Sequence, residues 1–327
     1  MASNPLFDLK SDTPAAAVVL LLFLSVFFFM LLGQGIILAW VSINGLDPSS
    51  FMETLSGSDL TKDRNLLRSV ALINQLFTFL IPALALGYFL YQERLAKRLL
   101  IHRAPSLSWL LLGALWILVS FPLAQGLYQW NQSIPLPEWL VQVEDSTNNL
   151  IQNFLKMESP GELILTLTTM GLAPAIGEEL IFRGFLQRKL GELLPQGGGH
   201  LAIWLAAFIF SAFHFQFQGF IPRMFLGAIL GYLFFFSQNL WVPIFGHLVY
   251  NGFQVIVAFV SFEQFEQLEA AGDDPIPVTL LLGSILSFAA IGALIWRQRE
   301  EPQQIQQTMV IPKPIDQTNY SIEESEN

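Results

Sequence analysis

The 327-residue sequence contains no cysteine, which excludes disulfide bonds, zinc–thiolate sites, iron–sulfur clusters and a cysteine nucleophile. Charged residues are also scarce, at 13% of the chain, whereas an ordinary soluble domain has about 25%. The 16 lysines and arginines form no large basic cluster, so no nucleic-acid partner is expected. Because 53% of the residues are hydrophobic, the composition indicates an integral membrane protein.

Apolar stretches that could cross a bilayer recur along the whole chain. A spanning helix needs about 20 mostly apolar residues. Eight stretches approach or exceed that length, and they predict an all-α, polytopic bundle of about eight transmembrane helices. The predicted spans are residues 15–43, 68–91, 107–130, 162–182, 201–217, 221–237, 241–260 and 277–296.

The same pattern divides the sequence into five parts. Residues 1–14 are expected to form an N-terminal cytoplasmic segment, and residues 15–158 the first three spans with their loops. Residues 159–260 form a core of four spans that holds most of the intramembrane polar residues. An acidic loop and the last span occupy 261–297, and the composition of 298–327 predicts a disordered polar tail.

Lysine and arginine are unevenly distributed between the loops. If both termini are cytoplasmic, ten of these residues lie inside and five outside, in agreement with the positive-inside rule. The sequence therefore predicts a multi-pass protein with both termini in the cytoplasm. Its acidic loop, residues 263–274, would then face the other side of the membrane.

The fourth span has clear start and stop signals. Ser159 and Glu162 form a capping box around Pro160 at the first helical position. The helix is expected to run to about Leu194, where a Pro-Gln-Gly-Gly-Gly sequence ends it. Pro174 lies inside this helix and is expected to kink it.

Ionisable side chains inside a bilayer are costly and usually functional. In the predicted spans such groups, with one neighbouring amide, concentrate in the second half of the chain. They are Glu178, Glu179, Arg183, His214, His247 and Asn251.

The spacing of these residues indicates which of them act together. Glu179 and Arg183 are four residues apart, share a helix face and are expected to form a structural ion pair. Glu178 points about 100° away from Glu179 and is free for another role. His247 and Asn251 also project together from one helix. We expect one buried polar site built from the fourth, fifth and seventh spans.

A carboxylate beside two imidazoles can activate water for hydrolysis. The carboxylate takes a proton, while a histidine orients the water or protonates the leaving amine. A second histidine and an asparagine amide can stabilise the oxyanion of a tetrahedral intermediate. Other intramembrane protease chemistries fit poorly, because the spans contain no aspartate, no His-Glu-x-x-His helix and no Gly-x-Ser-x-Gly elbow.

Three ordered motifs in residues 160–260 resemble those of the CAAX protease and bacteriocin-processing family, also called the type II CAAX endopeptidase or Abi family. The motifs are Glu178-Glu179-x-x-x-Arg183, Phe210-x-x-x-His214 and His247-x-x-x-Asn251. All six polar motif positions are matched, each motif on its own apolar helix. The first three spans carry no motif of this kind.

The resemblance implies an intramembrane glutamic endopeptidase with eight helices. It implies that Glu178 activates water with His214, and that His247 and Asn251 stabilise the oxyanion. Glu179, Arg183 and Phe210 are implied as supporting residues, which makes residues 159–260 the catalytic core. No cofactor is expected, and the implied partners are a bilayer and a membrane-associated protein or peptide substrate, of the CAAX type or another.

Three alternatives stay open at the level of the sequence. Glu178, His214 and His247 could instead bind zinc, since two histidines and one glutamate are a known catalytic ligand set. A non-enzymatic membrane scaffold or bacteriocin-immunity protein would use the same polar groups only to hold the bundle together. A transporter with a proton relay is disfavoured, because the sequence has a single polar cluster and no repeat symmetry.

Overall fold

The computed structural model describes residues 13–47, 49, 64–194, 199–262 and 276–299. The predictions for residues 1–12, for the helix stop at 195–198, for the acidic loop and for the tail beyond residue 299 lie outside the described residues. Over the described ranges the chain is helical between its loops and has no β-strand. The predicted all-α, polytopic fold class is therefore confirmed.

The described residues form nine helices joined by loops, and we number the helices in chain order. They are α1 (Ala15–Ile43), α2 (Arg64–Arg98), α3 (Leu107–Gln132), α4 (Glu138–Leu155), α5 (Pro160–Leu193), α6 (His200–Ala212), α7 (Phe220–Ser237), α8 (Trp241–Val260) and α9 (Val278–Gln298).

Seven of these helices are long and apolar enough to cross a membrane, and α4 and α6 are the other two. The predicted fifth span, residues 201–217, is shortened because α6 has only 13 residues. Thirteen residues rise about 20 Å, less than the roughly 30 Å hydrocarbon core. Consequently α6 is too short to cross that core, and residues 213–219 form the loop that joins it to α7, with Phe215 82% exposed.

Burial separates the central helix from the peripheral ones. The α5 span is 61% buried, whereas α1 and α9 are only 17% buried and expose large apolar side chains such as Phe28 and Leu286. Lipid tails cover such surfaces at no cost, so α1 and α9 lie at the edge of the bundle. Helix α5, which holds three of the intramembrane charges, lies at its centre.

Helix α5 begins at the predicted cap and ends near the predicted residue. The backbone N–H of Glu162 donates to Ser159 Oγ at 3.3 Å, while the Glu162 carboxylate accepts from the N–H of Glu158, one residue before the expected partner. The helix is continuous to Leu193, but residues Leu167–Leu172 and Leu180–Gln187 are π-helical.

The first π-helical segment explains how the helix accommodates a proline. Pro174 has no N–H and cannot complete the hydrogen bond one turn back. The widened segment Leu167–Leu172 ends two residues before it and absorbs the mismatch. A similar segment, Leu76–Leu80, precedes Pro82 in α2. Such segments are frequent at functional sites.

Helix α4 is an amphipathic helix that the sequence prediction did not include. The C-terminal end of α4 is attached to the bundle by Arg68 of α2, whose side chain has no exposed surface. The guanidinium donates to the carbonyls of Phe154 at 3.0 Å and Lys156 at 2.6 Å, and lies 3.5 Å from Glu162. One buried cation therefore joins α2, α4 and the start of α5.

The substitution Arg68→Ala should lower the thermal unfolding midpoint in detergent. Removing one partner of a buried ionic contact costs about 3–5 kcal/mol, because the remaining groups stay buried without a donor. The matched control is Arg103→Ala, whose side chain is exposed. Midpoints of both variants equal to that of the wild type would contradict the anchoring role of Arg68.

Candidate active site

A cavity of about 520 Å³ lies between helices α2, α3, α4, α5, α7 and α8 and the loop that follows α6. Its wall includes all four residues expected to be catalytic, together with one expected supporting residue. They are Glu178, His214, His247, Asn251 and Phe210. The structure thus brings together side chains that are up to 73 positions apart in the sequence.

Glu178 is 2% exposed and reaches the cavity from α5. Its Oε1 accepts a hydrogen bond from Gln75 Nε2 of α2 at 3.0 Å. Its Oε2 lies 4.0 Å from His247 Nε2 of α8, which is too long for a direct hydrogen bond. Glu178 therefore has one oxygen fixed by an amide and one oxygen facing an imidazole across a gap.

A close approach of α2 and α5 makes the contact between Gln75 and Glu178 possible. An added Cβ at Gly177 would lie 2.9 Å from Phe79 Cβ and 3.0 Å from the backbone nitrogen of Leu80. Any side chain at position 177 would push the two helices apart. Gly177 therefore lets α2 and α5 lie close enough for Gln75 to donate to Glu178.

Glu179 points away from the cavity wall and is completely buried. Its Oε1 accepts from Arg183 Nη1 at 2.6 Å and from His247 Nδ1 at 2.8 Å. The expected pair of Glu179 and Arg183 is present, and His247 joins it as a third member. Glu179 Oε2 is buried and makes no hydrogen bond with any part of the chain that the structure describes.

Arg183 is 1% exposed and has hydrogen-bond partners on two helices, Glu179 on α5 and a carbonyl on α7. Its Nη2 donates to the carbonyl of Gly227 in α7 at 2.7 Å. Gly227 allows this approach, since an added Cβ there would lie 3.2 Å from the Cα of Ala207. The Gly227-x-x-x-Gly231 pattern thus serves close packing of α7 and exposes carbonyls to side chains of α5.

Phe210 contacts three of the five charged or imidazole side chains of the motifs. The Arg183 guanidinium carbon lies 4.9 Å from the centre of its ring. The rings of His214 and His247 lie 5.0 and 6.1 Å away, both edge to face. The aromatic side chain therefore excludes water from the ion pair and restricts both imidazoles, as a supporting residue would.

His214 lies just beyond the end of α6, in the loop of residues 213–219. Its Nδ1 is 2.9 Å from the carbonyl oxygen of Phe210. A carbonyl only accepts, so Nδ1 carries the proton and Nε2 is the free acceptor of the neutral ring. The next residue, Phe215, has a φ of +52°, an uncommon value for a residue with a side chain.

Two buried side chains from the first half of the chain hold this loop. Asn131 of α3 donates to the carbonyl of Phe217 and accepts from the N–H of Ile221, both at 2.8 Å. The Glu144 carboxylate of α4 is 2% exposed and accepts from the backbone N–H groups of Phe217 and Gln218. The position of His214 therefore depends on helices outside the three motifs.

Asn251 lies one turn after His247 on α8. Its Nδ2 donates to the carbonyl of Met170 in the π-helical part of α5 at 2.8 Å. An amide nitrogen has two hydrogens. One hydrogen is therefore used to fix the side chain, and the other is available to the cavity.

Arg223 is the cation among the residues that line the cavity. Its Nη2 donates to Gln216 Oε1 at 2.7 Å, whereas its Nη1 is buried without a hydrogen-bond partner in the described parts of the chain. The sequence analysis assigned no site role to Arg223, which lies in the predicted span 221–237. A single arginine beside Pro222 in an apolar segment was the available signal for its burial.

No group of three or more His, Cys, Asp or Glu side chains within the described ranges is arranged to hold a metal ion. The alternative zinc ligands Glu178 and His247 are 4.0 Å apart at their nearest atoms. A shared zinc ion would need each of them at about 2.0–2.2 Å, together with His214. Two ligand atoms of a tetrahedral zinc ion lie about 3.3–3.6 Å apart, so Glu178 and His247 would need to approach each other only slightly to share one.

The sequence prediction missed Gln75, Asn131 and Glu144. Gln75 left a weak signal, because an amide inside an apolar helix needs a partner. Asn131 and Glu144 left none, since they lie in segments that read as a helix end and a polar loop. Their partners are up to 103 residues distant in sequence, so only the tertiary structure connects them.

Comparison with known families agrees with the motifs. Residues 160–253 match the family described as Type II CAAX prenyl endopeptidase Rce1-like. No curated protein and no solved structure matches the chain significantly. The family match confirms the resemblance drawn from the three motifs, and it supports a protease of the CAAX type, an enzyme that hydrolyses peptide bonds in a membrane.

The two adjacent glutamates should differ sharply in their effect on stability. Glu179→Gln removes the charge opposite buried Arg183 and should cost about 3–5 kcal/mol. Glu178→Gln keeps an acceptor oxygen for Gln75 and should change stability by about 1 kcal/mol or less. Thermal unfolding in detergent checks this pair of variants. Equal losses in both variants would contradict the structural assignment of Glu179.

Proposed function

We propose that this chain is an intramembrane endopeptidase in which Glu178 activates the attacking water. Its substrate would be a membrane-associated protein or peptide. The observation that carries the proposal is the convergence of Glu178 and both membrane histidines on one cavity. The match of residues 160–253 to an endopeptidase family supports the same reaction.

The gap between Glu178 and His247 suits a water molecule. Polar atoms separated by more than about 3.5 Å are commonly bridged by water, and Glu178 Oε2 and His247 Nε2 are 4.0 Å apart. A water there donates to the carboxylate and lies beside the imidazole. Because Gln75 holds the other oxygen of Glu178, the carboxylate cannot turn away from this water.

Hydrolysis then needs no covalent intermediate. The water oxygen attacks the scissile carbonyl carbon as Glu178 takes one of its protons. The carbonyl oxygen becomes an oxyanion. When the tetrahedral intermediate collapses, a proton passes to the amide nitrogen, the C–N bond breaks, and an amine and a carboxylate leave. His214 relays that proton through Nε2, because its Nδ1 is held by the carbonyl of Phe210.

His247 and Asn251 are the donors proposed to stabilise the oxyanion. The second amide hydrogen of Asn251 is available while the first holds Met170. His247 donates through Nδ1 to Glu179, so it donates through Nε2 only when protonated. The hydrogen bond to Glu179 fixes the ring of His247 with Nε2 toward Glu178 at the cavity wall, which gives Glu179 and Arg183 a positioning role.

The proposed mechanism uses only groups of the protein and no metal. Zinc held by Glu178, His214 and His247 is the alternative, and it would supply the activation of water that the Glu178 carboxylate supplies here. The two versions differ in their response to a chelator. A membrane scaffold or immunity protein would respond neither to a chelator nor to loss of the Glu178 charge.

Glu178→Gln should reduce cleavage by about 10²–10⁴-fold, since the amide cannot accept the proton of the water. The assay uses reconstituted vesicles and a membrane-anchored reporter peptide, presented with and without a prenylated cysteine. The matched control is Glu192→Gln, the same substitution on the same helix at an exposed position. Both variants should insert and unfold like the wild type.

Three outcomes of this assay decide between the alternatives. Cleavage that is lost in Glu178→Gln and unchanged by a zinc chelator supports the glutamate mechanism. Cleavage lost on chelation and restored by zinc favours the metal version. If Glu178→Gln cleaves as the wild type does, or still complements a deletion strain, the proposed role of Glu178 is wrong.

Asn251→Ala should lower kcat by about 10²–10³-fold with a much smaller change in KM, because an oxyanion donor acts in the transition state. Steady-state kinetics on the same reporter measure both constants. A variant with normal kcat and a raised KM would show instead that Asn251 binds the substrate.

A further inference from the structure

Arg223 lines the cavity and has few partners in the protein. A guanidinium carries five N–H donors, and such donors need acceptors when they are removed from water. The Arg223 side chain makes one hydrogen bond to the described residues, from Nη2 to the neutral Oε1 of Gln216 at 2.7 Å. Its Nη1 is buried without an acceptor in that part of the chain. The fold therefore leaves a cation beside the cavity with most of its donors unused.

Arg223 differs from the two arginines that have almost no exposed surface. Arg68 and Arg183 each form an ion pair with a carboxylate, at 3.5 and 2.6 Å, which offsets the cost of removing the charge from water. Among the described residues Arg223 has no such pair. The carboxylates of Glu178 and Glu144 interact with it electrostatically, but neither lies within ion-pair distance. Pairing within the protein therefore does not account for this arginine.

Two residues of the loop before α7 hold the guanidinium in place. An added Cβ at Gly219 would lie 2.7 Å from Arg223 Nη2 and 3.4 Å from its Cζ, so only glycine leaves room for the guanidinium there. Gln216 accepts from the same Nη2 and fixes its direction. The side chain is thus ordered before any ligand arrives, which lowers the entropy cost of binding an anion.

A carboxylate is the ligand that suits such a guanidinium. The planar fork of donors matches the two oxygens of a carboxylate in parallel hydrogen bonds. The cavity of about 520 Å³ is within the roughly 300–1,000 Å³ of small-ligand pockets, so it can hold a short peptide segment. Much of its wall is apolar, with side chains such as Phe154 and Leu226. Arg223 is therefore the part of the wall that selects for negative charge in a bound peptide.

His214 indicates on which side of the scissile bond this charge lies. In the proposed mechanism His214 passes a proton to the leaving amine. Arg223 is close enough to His214 to interact with it electrostatically, and its partner Gln216 is two residues after His214 in the same loop. The fragment that leaves as an amine therefore extends from His214 toward Arg223. That fragment contains the C-terminal end of the substrate.

We propose that Arg223 is a specificity-determining residue that binds a carboxylate of the substrate on the leaving-amine side of the scissile bond. The carboxylate belongs either to the free C-terminus of a short leaving fragment or to an acidic side chain within that fragment. In both cases it accepts from donors that the protein leaves unused. The position relative to the scissile bond rests on the proposed function, whereas the carboxylate site itself does not.

Three reporter peptides that differ only at the C-terminus test the proposal. One ends in a free carboxylate, one in an amide, and one in an amide with glutamate as its last residue. The wild type should prefer a carboxylate-bearing reporter over the neutral amide by about 10–100-fold in kcat/KM, since charge-assisted hydrogen bonds are strong. Arg223→Gln should abolish this preference, and Arg223→Lys should keep part of it. The matched control Arg103→Gln, at an exposed position, should keep all of it.

The ratio between reporters separates recognition from a structural role. A preference for the free C-terminus or for the glutamate, lost in Arg223→Gln, supports the proposal and identifies the source of the carboxylate. Equal kcat/KM values of the wild type for all three reporters would overturn it. A loss in Arg223→Gln that is the same for every reporter, with the preference retained, would also overturn it, because Arg223 would then act only on the structure of the site.

Binding to the Glu178→Gln variant separates this proposal from the proposed function. The dissociation constants of the three peptides are measured in detergent by fluorescence anisotropy, with and without the added substitution Arg223→Gln. Tighter binding of a carboxylate-bearing peptide that disappears with Arg223→Gln supports the site even if no reporter is cleaved, in which case the proposed function fails alone. Equal binding of all three peptides, or no binding, overturns the site, and cleavage by the wild type would still support the protease.

Discussion

The fold depends on the buried carboxylate of Glu179, which accepts hydrogen bonds from both a guanidinium and an imidazole. Arg183 Nη1 and His247 Nδ1 donate to the same oxygen, Glu179 Oε1, at 2.6 and 2.8 Å. Unpaired charge inside a bilayer is costly, so these groups stabilise the bundle only when α5 and α8 are in register. Arg183 extends the constraint to α7 through the Gly227 carbonyl. Three helices are thereby fixed around the cavity.

This constraint also separates the roles of two adjacent glutamates. A helix turns about 100° per residue, so Glu179 faces the packed interior while Glu178 faces the cavity. The π-helical segments on both sides of this pair adjust the turn without breaking the helix. The same residue type therefore serves electrostatic support at position 179 and, in the proposed mechanism, proton transfer at position 178.

The sequence predicted what depends on local spacing and hydropathy. The apolar spans, the Ser159 cap and the pair of Glu179 and Arg183 follow from lengths of about 20 residues and from i,i+3 or i,i+4 contacts. It did not predict Gln75 beside Glu178, or Asn131 and Glu144 on the loop of His214. Those contacts join segments 73 to 103 residues apart, and their geometry is decided by packing at glycines such as Gly177.

Direct attack by water is the central claim, and trapping an intermediate tests it most directly. The enzyme would be mixed with excess reporter in H₂¹⁸O, quenched with acid during the first turnovers, and analysed by intact mass. We predict ¹⁸O in the new carboxyl terminus and an enzyme of unchanged mass at every time point. An enzyme population heavier by the acyl fragment of the reporter would contradict the account, since it would show that a side chain, and not water, attacks the peptide bond.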